Sequence, residues 1–89
     1  MVAGRAERRA ARRERFEREF GRNAAAALDV MELTELAWHD CCGEPTVPDS
    51  VLEDMIIVAG GDLGKLVTAA RLAVTDWRDL RLAADDLRR

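Results

Sequence analysis

Residues 63–87 read LGKLVTAARLAVTDWRDLRLAADDL. Within them Leu66, Ala70, Ala73, Trp77, Leu80, Ala84 and Leu87 step by four and three in alternation, which is the heptad spacing of a helix that buries one stripe against other helices. Alanine at alternate stripe positions lets a neighbouring helix approach closely. The reading is one unbroken rod of about 39 Å at 1.5 Å per residue. Asp62 stands in front of it as a cap.

Three further helical segments precede it. Residues 23–42 pair Asn23 at the start with Gly43 at the end, as cap and stop. Ala27, Val30, Met31, Leu33, Ala37, Trp38, Cys41 and Cys42 fall on one broad face, and Asp29, Glu32, Glu35, His39 and Asp40 on the other. The segment after GEPTVPDS, residues 51–59, is almost wholly apolar. Ser50 and Glu53 have capping-box spacing in front of it, and Gly60-Gly61 closes it. Residues 3–20 are rich in Arg and Glu at helical spacing, with little to bury before Phe16 and Phe20. Few β-branched residues and no tyrosine favour helix throughout. The expected fold is therefore all-α. A small bundle of three core helices, the last one long, occupies residues 23–89, and a basic, partly frayed helical extension occupies residues 1–22.

Charge is unevenly spread. Residues 1–22 hold eight Arg against four Glu, residues 23–47 hold five acids and no base, and residues 48–89 hold six bases and eight acids. A basic head on an acidic body implies either an anionic partner for the head or a head folded onto the body. Arg8, Arg9, Arg12 and Arg13 are the candidate phosphate contacts. The helix-Gly-Gly-helix unit offers Lys65, Thr68 and Arg71 to a groove. Interleaved glutamates, together with Glu53 and Asp54, count against DNA binding, which needs a basic footprint.

AWHDCCGEP, residues 37–45, gathers the chain's one histidine and both cysteines. On a helix His39 and Cys41 diverge by about 160°, so one ion is not held by both. Cys41 and Cys42 are expected to be buried and unreactive, beside Trp38, in an acidic field that raises a thiol's pKa. Glu32, Glu35 and His39 share a face and are the one candidate metal set, with i, i+4 spacing where helical di-iron sites use i, i+3. Gly60-Gly61-Asp62-Leu63-Gly64 lacks the ending of a phosphate loop. No catalytic residue, cofactor or small-molecule ligand is expected. The apolar run at residues 55–59 is too short for a membrane span, and the start has no signal-peptide pattern, so the expected setting is the cytosol.

Leu28, Leu36, Leu72 and Leu82 lie off the main apolar faces and suggest a second interface. A core this small supplies only about 3–5 kcal/mol alone. The expected function is a protein–protein interaction module, self-associating as a homodimer or held by a protein partner through the 66–87 stripe. A DNA-associated regulator is the alternative.

Overall fold

The computed structural model describes residues 4–89. Four α-helices follow in order: α1 (Arg5–Phe20), α2 (Ala24–Cys42), α3 (Asp49–Ala59) and α4 (Leu63–Arg88). A 3-10 turn, Gly21–Asn23, joins the first two. No strand occurs among the described residues, and the all-α bundle is as expected. The expected start of the first helix at Ala3 lies outside the described residues. Asn23 sits in the 3-10 turn and makes no side-chain cap bond. The Ser50–Glu53 box is not formed either. The third helix begins two residues earlier, at Asp49 after Pro48, and the Glu53 carboxylate is taken by Arg15 instead. Asp62 caps as expected, its Oδ1 accepting from the Lys65 N–H at 2.9 Å.

One buried cluster runs through all four helices. Phe16, Met31, Met55, Leu66 and Leu80 are its largest fully enclosed apolar side chains along the helices. Phe16 and Phe20, from the basic segment, belong to the same cluster, their rings 5.4 Å apart. The first helix is thus a layer of the bundle. It lies along α2, while α3 and α4 form the most extensive helix pair.

The long helix is not one rod. Asp76 adopts an extended backbone (φ −159°, ψ 88°) in the middle of α4. Its Oδ1 accepts from the N–H groups of Arg78 (3.1 Å) and Asp79 (3.4 Å), so it acts as the N-cap of a fresh helix that starts at Trp77. A straight rod of about 39 Å would overrun a molecule whose longest dimension is 36 Å. Beyond the break the second half of α4 packs against α3. There Asp54, 1% exposed, accepts from Arg81 Nε at 2.5 Å and from an Arg88 terminal nitrogen at 2.9 Å. A buried carboxylate needs such partners.

The heptad stripe is split by this break. Leu66, Ala73, Leu80 and Ala84 are buried and Ala70 is half-buried, but Trp77 (44% exposed) and Leu87 (62%) are turned to solvent. The stripe thus closes the chain's own core, and the expected unbroken seam is corrected. The off-face leucines divide likewise. Leu28 is buried and Leu72 packs partly buried against the core, whereas Leu36 and Leu82 are exposed.

The α3–α4 turn fixes how close α1 comes. Gly60 and Gly61 both have positive φ, +55° and +82°. A Cβ on Gly60 would meet nothing, but one on Gly61 would lie 2.9 Å from the carbonyl oxygen of Glu19. Gly60→Ala is therefore expected to destabilise by about 1–2 kcal/mol through backbone conformation alone, and Gly61→Ala by clearly more, as measured by chemical denaturation. Equal losses would show that α1 does not rest on this turn.

Candidate functional site

The inward face of α2 is Ala24, Ala27, Leu28, Met31, Thr34, Glu35 and Trp38. That face is rotated toward Leu28 and Glu35 from the one its apolar pattern suggests, because α1 covers that side. Val30, Leu33 and Ala37 are left at the edge. They meet Val67, Ala70 and Val74 of α4 across a shallow apolar groove of about 270 Å³, with Thr34 and Arg71 completing it. The lining positions 30, 33, 34 and 37 on one helix and 67, 70, 71 and 74 on the other share the same i, i+3, i+4, i+7 spacing, a single stripe on each. Leu33 is 67% exposed and Val67 53%. Leu33 falls on the face expected to be apolar and buried, and Val67 lies beside the stripe. The signal was the 67, 70, 71, 74 spacing itself, hidden because Ala70 also fits the heptad.

On the opposite side of α2 lies a cleft of about 210 Å³ lined by Arg5, Arg8, Glu32, Glu35, Leu36, His39 and Pro45. Its carboxylates are committed. Glu35, 4% exposed, accepts from Arg12 (2.9 Å), Arg8 (3.2 Å) and the Thr46 hydroxyl. Glu32 accepts from Arg9 at 3.1 Å, and Arg9 also reaches Asp29 at 2.7 Å. Glu32, Glu35 and His39 therefore stand apart as a metal set, since two of the three already hold guanidinium groups. Among the described residues no group of three or more His, Cys, Asp or Glu converges. The arginines offered to phosphate are used within the chain at Arg8, Arg9 and Arg12, while Arg13 remains exposed. A bidentate pair from Arg15 to Glu53, both contacts 2.9 Å, ties α1 to α3.

Cys41 and Cys42 are exposed, not buried. They occupy the last turn of α2, beyond Trp38, whose indole N–H reaches Glu44 at 3.3 Å. Their Sγ atoms are 3.0 Å apart. The hydrogen bond to Cys41, then desolvation and the charges of Cys41 and Glu44, push the Cys42 thiol up to about 11. A thiol held protonated is a poor nucleophile.

No protein-family model matches the chain, and comparison with curated proteins and with solved structures gave no match. No helix among the described residues is long and apolar enough to cross a membrane.

Burial pushes the Glu35 carboxyl up, but the hydrogen bonds from Arg12 and Thr46, the Arg12 charge and the Arg8 bond outweigh it and hold it below the ordinary glutamate range. A pKa lowered by folding adds stability that is complete above the unfolded value, about 4.3, and is lost as pH falls through the folded value. Wild type should therefore lose stability more steeply than Glu35→Gln from about pH 5 downward, as read by urea midpoints across pH. Parallel curves would mean that Glu35 gains nothing from its arginines.

Proposed function

We propose that this chain is a helical interaction module that pairs with a second copy of itself along the α2–α4 groove. The observation that carries the reading is the pair of matched stripes with Leu33 and Val67 standing in solvent between them. Apolar patches of this kind, rimmed by polar residues, mark association surfaces.

A second copy suits the groove for two reasons. A two-fold interface places the same patch against itself, and each stripe here repeats the spacing of the other. Complementary charges are also at hand: Arg71 of α4 lines the groove, and Asp40, seven residues on from Leu33, continues the α2 stripe beyond it; both are exposed, and neither has an ion-pair partner among the described residues. Two-fold pairing supplies each with an opposite charge from the other copy. The buried part of the 66–87 stripe serves the monomer's core, so the pairing surface is the neighbouring face of α4, with Ala70 shared by both.

The alternative of a DNA-associated regulator loses support, because binding phosphates through Arg8, Arg9 and Arg12 requires breaking their pairs with Glu35, Asp29 and Glu32.

Size-exclusion chromatography with light scattering tests the proposal. Wild type is expected to move from monomer to dimer across the micromolar range. Leu33→Glu, at a position too exposed to disturb the fold, is expected to remain monomeric with unchanged helical content. A wild type that stays monomeric, or a Leu33→Glu variant that dimerises equally well, contradicts the reading.

A further inference from the structure

Two adjacent residues on a helix diverge by about 100°, yet the Cys41 and Cys42 sulfurs are turned toward each other to 3.0 Å. Both face solvent. The backbone beneath them is fixed: Cys42 is still helical, and the Gly43 N–H closes the turn on the His39 carbonyl at 2.8 Å. An eight-membered ring disulfide between neighbours is strained and would require this turn to unwind. The pair therefore stands as two exposed thiols side by side at the end of α2.

The geometry points to Cys41 and Cys42 as a two-sulfur site for trivalent arsenic, taken up as neutral arsenite. At a metal–sulfur distance of about 2.3 Å, the value for zinc thiolates, sulfurs 3.0 Å apart subtend roughly 80° at the ion. That angle is too narrow for tetrahedral zinc, which also wants four protein ligands in a structural site. It is far too narrow for a linear two-coordinate ion such as mercury. Trivalent arsenic keeps a lone pair and arranges three ligands in a pyramid with angles near a right angle, so a narrow two-sulfur bite suits it. Two protein ligands are enough, because the third is the hydroxyl that arsenite brings. No third His, Cys, Asp or Glu converges here among the described residues, and none is required.

The chemistry is a condensation without oxidation. Arsenite, As(OH)3, gives up two hydroxyls; each leaves as water with the proton of one thiol, and two As–S bonds replace two As–O bonds. The arsenic stays trivalent, its remaining hydroxyl faces solvent, and neither thiol must ionise beforehand. A neutral ligand is also not repelled by the carboxylates of Asp40 and Glu44 on either side of the pair.

The test is a titration of the full chain, reduced with a phosphine and freed of thiols, with sodium arsenite. It is followed by the near-ultraviolet sulfur-to-arsenic absorption and by native mass spectrometry. One arsenic per chain is expected. Cys41→Ser and Cys42→Ser should each weaken binding by about 100-fold or more, the advantage of tethering two ligands, with helical content unchanged because both side chains are exposed. Zinc, titrated alone, should bind more weakly than arsenite. The assignment is overturned by wild type taking up no arsenic at millimolar arsenite, by either single variant binding as tightly as wild type, or by a preference for zinc.

Discussion

A carboxylate almost fully withdrawn from water at Glu35 is the constraint on which the arrangement depends. Left alone it would be expensive to bury. Arg8 and Arg12 of α1 and Thr46 of the loop before α3 supply its partners. Once these contacts form, α1 can lie only along α2, and Phe16 and Phe20 come down on the core. Arg15 then reaches Glu53 on α3, and the end of α1 settles on the turn at Gly61. Buried ion pairs give little net stability compared with apolar packing, since desolvation offsets the attraction. What this one contributes is the choice of which face of α2 looks inward and which helix covers it.

A second buried carboxylate, Asp54, plays the corresponding part at the other end of the bundle. It lies on α3 and takes Arg81 and Arg88 from beyond the break in α4. Apolar burial of Leu80 and Ala84 and these two ion pairs hold the second half of that helix across α3, and Asp76 provides the cap that lets the helix restart. The stripe that a straight helix would offer to a partner is thereby folded into the monomer. Part of the apolar surface left over is the α2–α4 groove. The same two carboxylates that organise the core therefore also decide which apolar faces stay exposed.

Much of the bundle was legible in the sequence. Four helical segments, the stops at Gly43 and Gly60, and the Asp62 cap follow from local chemistry and hold in the structure. What could not be read depends on neighbours. The heptad pattern continues through Asp76 because a periodicity of side chains does not record a break in the backbone; the clue was an Asp followed three residues later by a second Asp, a cap inside a helix. Glu35 looks solvated on a helical wheel, since its counter-charges lie more than twenty residues away. The cysteines look buried because they extend the Trp38 face, but α2 outruns its neighbours there. Leu33 looks like core for the same reason that Leu28 looks exposed: α1 covers one side of α2 and not the other.

Whether the basic segment is a true layer of the fold is decided by amide hydrogen exchange across residues 8–20. These amides should open with free energies close to those of α2 and α3, because α1 carries Phe16 and Phe20 into the shared core. Exchange near the free-peptide rate up to Phe16, with α2 to α4 still protected, would show that α1 is an appendage and that Glu35 does not organise the fold.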